Sequence, residues 1–399
     1  MMLGTSSRDL DAARGDSLAV AAVPATGVYV HWPYCARICP YCDFNVRKNR
    51  AIDAERWRDG LVRDLEFWRE KTGARNLRSL YFGGGTPSLA PLSVIESVIS
   101  ACDRLWGFEA APEITLEANP AEADQSRFAT FAAAGVNRLS LGVQSFDDEA
   151  LAFLGRDHSA DDALRALDLA KTAFPRASFD LIYGLPDQSA DAWRKALRSA
   201  LDLAPEHLSV YQLTIEPGTA FALAVARKDW SPPDDDLGSD LFDIAQEATA
   251  AAGLPAYEIS NHARPGTESR HNLLYWTGGD YVGVGPGAHG RITVDGERHA
   301  TEAAKAPEVY LRRVEAGADA MPLGPALDAE TRLIEKLLTG LRLSAGLSLT
   351  PKDFAALGAR APRIGELCAE GLLSRDGSRL WATARGRRAL DAVIAALLA

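Results

Sequence analysis

Short apolar runs alternate with longer amphipathic stretches from residue 27 to about 215. The runs are bounded by turn-forming residues and predict six strands, at Gly27–Trp32, Leu77–Phe82, Glu113–Glu117, Asn137–Val143, Ser178–Tyr183 and His207–Leu213. The amphipathic stretches predict helices at Ala54–Lys71, Leu92–Leu105, Asp161–Phe174, Asp191–Leu203 and Leu241–Ala252. Strands that alternate with crossover helices favour a parallel sheet, either open or closed into a barrel.

Polar or glycine residues follow or end each predicted strand. They are Cys35, Gly83–Thr86, Glu117, Gln144, Gly184 and Gln212. Parallel α/β folds build their sites at the carboxyl ends of the strands, so we expect these residues to converge on one mouth of the sheet.

The pattern changes after about residue 300. Helices are predicted at Pro307–Glu315, Glu330–Gly340, Pro351–Leu357 and Arg363–Glu370, followed by a hairpin over Leu372–Thr383 and a last helix over Arg385–Leu398. This order predicts a small winged-helix-like domain at 300–399, after a core domain at 27–299 and a flexible extension at 1–26. The domain has no basic face, so it need not bind DNA.

Composition narrows the function. The chain has 399 residues, 47% of them hydrophobic, and a formal net charge of −11, which argues against nucleic acid as the main partner. No apolar run is long enough for a transmembrane helix, and residues 1–26 lack the pattern of a signal peptide. An odd count of five cysteines, three of them close together, suits a reducing compartment. We therefore expect a cytoplasmic location.

The three clustered cysteines are the strongest chemical signal. Cys35, Cys39 and Cys42 are spaced C-x-x-x-C-x-x-C directly after the first strand. Three thiolates can hold an iron-sulfur cubane while leaving one iron without a protein ligand. A structural zinc site normally needs four ligands, which His31 or Asp43 could complete, but one compact loop is not zinc-ribbon spacing. A cluster is favoured, and a zinc-stabilised interaction module is the alternative.

This cysteine spacing resembles the signature of the radical S-adenosylmethionine superfamily over about residues 27–290. The resemblance implies a partial (β/α)6 TIM-type barrel, a 4Fe-4S cluster on the three cysteines, and S-adenosylmethionine bound at the open iron. Gly83–Pro87 (GGGTP) resembles the superfamily's motif for the amino group of this cosubstrate, and glycines there let the backbone approach a ligand closely. Gly285–Gly290 matches a dinucleotide fingerprint formally, but it lacks the strand-to-helix context; in the family this stretch closes the cosubstrate pocket.

Within the superfamily the chain resembles the oxygen-independent coproporphyrinogen oxidases and the related haem chaperones. The matching stretches are VYVHWPYCARICPYCDF, YFGGGTPS, ITLEANP, VNRLSLGVQSF, LGRDH, FDLIYGLP and LSVYQLTIEPGT. The resemblance implies that the contacts to S-adenosylmethionine are Tyr29, Tyr41, Gly84, Gly85, Thr86, Glu117, Gln144, Arg156 and Asp180.

Two features distinguish the branches of this family. The oxidases have a fourth cysteine two positions after the third, where this chain has Phe44. The segment Arg270–Trp276 (RHNLLYW) resembles the H-N-x-x-Y-W segment of the haem chaperones, which makes His271 the candidate axial haem ligand, with Tyr275 and Trp276 as flat contacts for the macrocycle. His289 and His262 are rival ligands on neighbouring loops.

The resemblance therefore implies a haem chaperone that binds a 4Fe-4S cluster, S-adenosylmethionine and haem, and delivers the haem to an acceptor protein. That acceptor is not identified by the sequence, and peripheral association with membrane-bound haem proteins is compatible with such delivery. The alternative is an oxygen-independent coproporphyrinogen III oxidase, which decarboxylates coproporphyrinogen III to protoporphyrinogen IX. Phe44 weakens that alternative, so the sequence leaves open whether the chain is an enzyme.

Overall fold

The computed structural model describes residues 25–48, 51–317 and 323–399. The strands are β1 (Ala25–Trp32), β2 (Tyr34–Cys35), β3 (Arg47–Lys48), β4 (Asn76–Gly84), β5 (Phe108–Ala118), β6 (Arg138–Gln144), β7 (Arg176–Tyr183), β8 (His207–Gln212), β9 (Asn261–Ala263), β10 (Asp280–Val284), β11 (His289–Val294), β12 (Glu297–Glu302), β13 (Leu347–Ser348), β14 (Leu373–Asp376) and β15 (Arg379–Ala382).

The helices alternate with these strands in the first two thirds of the chain and dominate the last third. They are α1 (Ala54–Thr72), α2 (Leu92–Trp106), α3 (Gln125–Ala133), α4 (Asp148–Phe153), α5 (Ala160–Ala173), α6 (Ala190–Asp202), α7 (Ala220–Ala226), α8 (Asp235–Ala251), α9 (Arg270–Trp276), α10 (Pro307–Ala316), α11 (Ala329–Gly340), α12 (Pro351–Leu357), α13 (Ala361–Ala369), α14 (Ala384–Arg388) and α15 (Leu390–Leu398).

One ten-stranded sheet forms the core domain, in the order β12-β11-β10-β1-β4-β5-β6-β7-β8-β9. The six central strands, β1 and β4 to β8, pair in parallel and in chain order, which confirms the predicted partial (β/α)6 barrel. Val28, Leu80 and Leu116 on successive strands are fully buried, because helices cover the sheet's outer face. The outer strands β9 and β12 lie at opposite edges, so the described barrel is not closed.

Five elements between α8 and α10 have sequence signals that were too weak for a prediction. The segment after α8 contains β9, which is antiparallel to β8, and then α9 and β10. β10 pairs in parallel with β1, on the side of β1 that faces away from β4. The hairpin of β11 and β12 extends the sheet beyond β10. Because β9 has three residues and α9 seven, neither shows a full period of apolar positions.

The C-terminal domain has the predicted winged-helix-like order. α11, β13, α12, α13, β14 and β15 follow one another, and β13-β15-β14 form a three-stranded sheet. The predicted last helix at Arg385–Leu398 is wrong in one respect: it is two helices, interrupted at Ala389, whose backbone leaves the helical conformation (φ −124°, ψ 35°). Gly386 lies so close to the Leu372 carbonyl oxygen that a Cβ would not fit there. The missing side chain allows α14 to pack against the start of the β14–β15 hairpin.

The two domains are joined by polar contacts around one buried carboxylate. Arg342 pairs with Glu258 at 3.2 Å, and Arg387 donates to the Glu258 carbonyl. α10 packs against α1 in the barrel core through Tyr310, whereas the second core begins at Leu333. The boundary expected at residues 299/300 stays a prediction, and this packing places α10 with the barrel.

The predicted extension at 1–26 lies outside the described residues except for its last two, which begin β1. In the described part of the chain no helix is long and apolar enough to cross a membrane.

Candidate functional site

A cavity of about 440 Å³ opens at the carboxyl ends of the parallel strands. Its size falls within the range of small-molecule sites, roughly 300–1,000 Å³. Thirteen residues were assigned to the cluster, to S-adenosylmethionine or to the haem iron. Eleven of them line this cavity: Cys35, Cys39, Tyr41, Cys42, Gly84, Gly85, Thr86, Glu117, Gln144, Arg156 and Asp180. The structure thus brings the strand-end residues to one mouth, as expected. Tyr29 and His271 lie elsewhere.

The cysteine loop and the glycine loop are packed directly against each other. Gly85 N–H donates to the Trp32 carbonyl at 2.7 Å, and Thr86 N–H donates to the Tyr34 carbonyl at 2.8 Å. A Cβ on Gly85 would lie 2.6 Å from the Tyr34 oxygen and 3.0 Å from Cys35 Sγ. Only glycine therefore allows this approach, which places backbone beside the first cysteine.

All three motif cysteines are free thiols, with Cys35 buried and Cys39 and Cys42 half-buried. Burial raises the pKa of Cys35 to about 11, although a hydrogen bond from Thr86 opposes the shift. A metal must therefore displace a firmly held proton from this thiol.

The thiols are not arranged around a single point. Within residues 25–48, 51–317 and 323–399, no group of three or more His, Cys, Asp or Glu side chains is placed to hold one metal ion. In a cubane each cysteine binds a different iron atom, so the sulfurs need not converge as zinc ligands do. The donor set thus fits a cluster with three protein ligands better than a tetrahedral zinc ion.

Arg156 lies beside the cysteine loop. Its Nη1 donates to Cys39 Sγ at 3.3 Å, and its Nη2 donates to Asn119 Oδ1 at 2.7 Å and to the Gly142 carbonyl at 2.9 Å. Asn119 in turn donates to Thr86 Oγ1 at 3.1 Å. This chain of contacts fixes a cation at the cavity wall, where it can pair with a carboxylate or with an anionic cluster.

Gln144 carries two signs of an unfilled role. It ends β6 with a positive φ of 71°, which is rare for a residue other than glycine. Its Oε1 is buried without a hydrogen-bond partner among the described residues. Strained backbone and orphaned polar atoms concentrate where a ligand binds.

Two half-buried carboxyl groups, Glu117 and Asp180, line the same cavity. Burial raises the pKa of Glu117 to about 7, with Asp180 adding to the shift, and burial raises the pKa of Asp180 to about 6. The Tyr81 hydroxyl donates to Glu117 Oε1 at 2.7 Å. Each group can accept from ligand hydroxyl or amino groups.

A second cavity, of about 270 Å³, continues through the barrel interior from Glu117 and Asp180 to His271. His271 lies next to Gly27 and Ser79, near the amino ends of β1 and β4, whereas the cysteines follow the carboxyl end of β1. Tyr29 lies between these levels, with its hydroxyl 3.1 Å from His31 Nδ1. Its assignment to S-adenosylmethionine stays a prediction.

Among the described residues, only one ring nitrogen of His271 has a hydrogen-bond partner. Its Nδ1 forms a 2.9 Å hydrogen bond with Ser79 Oγ, and its ring stacks on Tyr81 with 5.0 Å between centroids. Nε2 has no hydrogen-bond partner among the described residues, and the side chain lines the interior cavity and a neighbouring groove of about 430 Å³. Burial lowers the pKa of His271 to about 4, with Glu113 opposing the shift and Arg138 adding to it. The ring is therefore neutral and able to bind a metal at neutral pH.

Glu113 positions the helix that carries this histidine. It is fully buried, pairs with Arg176 at 2.7 Å and accepts hydrogen bonds from the backbone N–H groups of Arg270 and His271. Burial alone would raise the pKa of Glu113, but Arg138, Arg176 and these amides outweigh it and lower the pKa. A carboxylate at a helix N-terminus stabilises the helix through its dipole.

The rival histidines differ in position. His262 is buried against Thr249, with 2.9 Å between Nδ1 and Oγ1, and lines none of the cavities described above. His289 is exposed and lines the 430 Å³ groove near His271.

Sequence reasoning missed Asn119 and Arg138. Asn119 links Thr86 to Arg156, and the signal was its place one residue after the end of β5. Arg138 is 3% exposed and donates to Ser178 Oγ at 2.8 Å in the barrel interior. An arginine within an apolar strand was the available sign, since an unpaired charge is almost never buried.

Two family models match the chain. The radical SAM superfamily model matches residues 29–200, and the HemN C-terminal domain model matches residues 327–388. The second match falls on the winged-helix-like domain.

Full-length relatives cover nearly the whole chain. It is 38% identical to the mouse protein named "Radical S-adenosyl methionine domain-containing protein 1, mitochondrial", covering 95% of this chain and 88% of the relative. It is 35% identical to the "Heme chaperone HemW" of Escherichia coli (94% and 99% covered) and 38% identical to that of Mycobacterium tuberculosis (93% and 94% covered). Among solved structures, coproporphyrinogen III oxidase (HemN) from Escherichia coli matches with a TM-score of 0.78 over 94% of this chain and 90% of that one, at 23% identity, which shows a common fold.

Proposed function

This chain belongs to the HemW-like family of radical SAM proteins, and from that premise we propose that it is a haem chaperone. In this proposal it binds a 4Fe-4S cluster, S-adenosylmethionine and haem, and delivers the haem to an acceptor protein. The acceptor is not identified, and a cytoplasmic location belongs to the same proposal.

The observation that carries the proposal is the setting of His271. The imidazole is neutral, its Nδ1 is hydrogen-bonded to Ser79, and its Nε2 has no partner in the described part of the chain, where the side chain lines a cavity. A metal-binding histidine normally has its other ring nitrogen fixed by a hydrogen bond in this way. Tyr275, on the same helix, packs edge-on against His271 with 6.1 Å between ring centroids and offers a flat apolar contact beside the iron ligand.

The residues at the mouth fit the two cofactors that the family implies. Cys35, Cys39 and Cys42 would hold the cluster, which when bound supplies an electron to S-adenosylmethionine. The orphaned Oε1 of Gln144 and the side chains of Glu117 and Asp180 would accept hydrogen bonds from the cosubstrate. Arg156 would pair with its carboxylate, and the Gly84–Thr86 backbone, which lines the same cavity beside Cys35, would meet its amino group.

Haem titration tests the proposal. Cluster-reconstituted wild type, His271→Ala and His289→Ala are titrated with haem without oxygen, and the Soret band is followed to its end point. We expect a saturable, near-stoichiometric site in wild type and in the His289 control, and its loss in His271→Ala. Transfer to a haem-free acceptor protein is then followed by the appearance of the acceptor's own spectrum.

Two results would contradict the proposal. Equal haem binding by wild type and His271→Ala would remove the ligand assignment. Anaerobic conversion of coproporphyrinogen III without specific haem binding would favour the oxidase, although Phe44 stands where the oxidases have a fourth cysteine and its side chain is 63% exposed.

A further inference from the structure

One cavity lies away from the cysteines, between the barrel edge and the C-terminal domain. Its volume is about 720 Å³. Tyr281 and Arg291 come from β10 and β11, Arg298 comes from β12, and the opposite wall is formed by α11 and α12. Of the residues proposed to contact a cofactor, Tyr275 lines this space, whereas those proposed for the cluster and S-adenosylmethionine do not.

The lining of this cavity is cationic in a chain whose net charge is −11. It contains Arg291, Arg298, Arg332, Lys336 and Lys352, against Glu335 and Asp353 as the only carboxylates in that lining. Electrostatic attraction in such a recess raises the local concentration of anions.

Ion pairs neutralise only some of these cations. Arg291 pairs with Glu335 at 2.8 Å and Lys336 pairs with Asp353 at 2.6 Å. Arg332 and Lys352 are exposed and form no ion pair with the described part of the chain.

Arg298 does not remove this excess of positive charge. It pairs with Asp280 at 3.0 Å, but Asp280 also pairs with Arg75 at 2.7 Å. Three positive charges therefore remain for a ligand to neutralise.

The cationic cavity adjoins the groove that contains His271. Tyr275 and Tyr281 line both spaces, with 6.3 Å between their ring centroids. The groove side supplies a neutral imidazole and aromatic surface, and the cavity side supplies cations. A flat apolar ligand with two carboxylate arms at one edge matches this sequence of surfaces.

We propose that the cavity between β10–β12 and α11–α12 binds the carboxylate arms of a planar dicarboxylate, a tetrapyrrole whose ring lies against Tyr275 and Tyr281. This rests on the proposed function, since the ring would reach His271 through the adjoining groove. Arg332 and Lys352 supply the charges for the two arms, and the C-terminal domain forms half of the ligand's site.

The test uses the full-length chain and metal-free protoporphyrin IX, which has both carboxylates but cannot bind to a histidine through iron. Its affinity is measured by fluorescence for wild type, for Arg332→Glu/Lys352→Glu, and for a control with the same charge change on the barrel exterior, Lys195→Glu/Arg198→Glu. Both control cations lie exposed on α6. Haem and the dimethyl ester of protoporphyrin IX are titrated in parallel.

We expect the charge-reversed cavity variant to bind protoporphyrin IX about tenfold more weakly than the control, because two attractive pairs become repulsive. The dimethyl ester should bind both variants alike. Should charge reversal disturb the fold, Arg332→Gln/Lys352→Gln should still weaken binding by about threefold.

Equal affinity of the cavity variants and the control for protoporphyrin IX would overturn this inference, and intact haem binding in the same variants would leave the chaperone function standing. If wild type binds protoporphyrin IX in a charge-dependent way but haem gives no coordinated Soret band, the inference survives and the proposed function fails. Binding of neither compound by wild type would overturn both.

Discussion

Replacing Gly85 by alanine adds one methyl group where the cysteine and glycine loops touch. The added carbon would lie 2.6 Å from the Tyr34 carbonyl oxygen and 3.0 Å from Cys35 Sγ. Gly85 is not in the left-handed region of φ, so alanine meets no backbone strain and the effect is purely one of contact.

The size of the effect follows from those distances. The two loops must separate by roughly 0.8 Å to restore an ordinary contact of about 3.4 Å. Neither partner can rotate away, because one is a backbone carbonyl and the other is the first proposed cluster ligand. Overpacking of this kind costs about 1–3 kcal/mol. For the binding of S-adenosylmethionine at these loops, that cost corresponds to an affinity weakened about 5- to 150-fold.

The assay is anaerobic cluster reconstitution followed by calorimetric titration with S-adenosylmethionine. Gly365→Ala in α13 is the matched control, since a Cβ there meets no atom within 4 Å. We expect the control to bind like wild type and to be up to about 1 kcal/mol more stable, because alanine favours a helix. Wild-type iron content and affinity in Gly85→Ala would refute the steric argument.

Three further predictions concern the buried carboxyl groups of Glu113 and Asp64 and the half-buried thiol of Cys39. Glu113→Gln should lower the free energy of unfolding by about 3–5 kcal/mol at pH 7, because Arg176 loses its buried partner. Since the pKa of Glu113 is lowered in the folded state, this difference should shrink as the pH falls below the ordinary glutamate pKa and through the folded value. Urea unfolding that shows no such trend would contradict the prediction. Burial raises the pKa of Asp64 to about 7, so ionisation of this carboxyl group destabilises the fold as the pH rises. The stability of Asp64→Asn relative to wild type should therefore increase between pH 4 and 8, by on the order of 2–4 kcal/mol. A difference in thermal stability that stays constant over this pH range would contradict the prediction. Cys39→Ala should abolish iron-sulfur absorption after reconstitution while Cys102→Ala retains it, and an unchanged spectrum in Cys39→Ala would remove the ligand assignment.

The barrel strands could be predicted closely because each carries a local signal. The run at Ser178–Tyr183 lies inside β7, and the helix predicted at Pro351–Leu357 has the observed bounds. Runs of buried β-branched residues between turn residues arise from short-range physics, so they are legible in the chain itself. The convergence of Glu117, Gln144 and Cys35 at one mouth followed from the parallel topology alone.

The position of His271 could not be predicted in the same way. Its depth in the barrel depends on Glu113, 158 residues earlier, which accepts the His271 N–H, and on Ser79, which fixes the ring. Contacts at such separation leave no periodic trace in a single sequence. The cationic cavity is likewise invisible there, because β11, β12, α11 and α12 each contribute only one or a few of its cations.

The cysteine loop and His271 lie at opposite ends of β1, near residues 32 and 27, which at about 3.3 Å per residue are roughly 16 Å apart. The spaces at the two ends adjoin, because Glu117 and Asp180 line both the cavity at the cysteines and the interior cavity that reaches His271. In the proposed function, a ligand on His271 and a ligand at the cysteine end would therefore both meet these two carboxyl groups. Haem exchange and cofactor exchange would then be coupled through Glu117 and Asp180 rather than independent of each other.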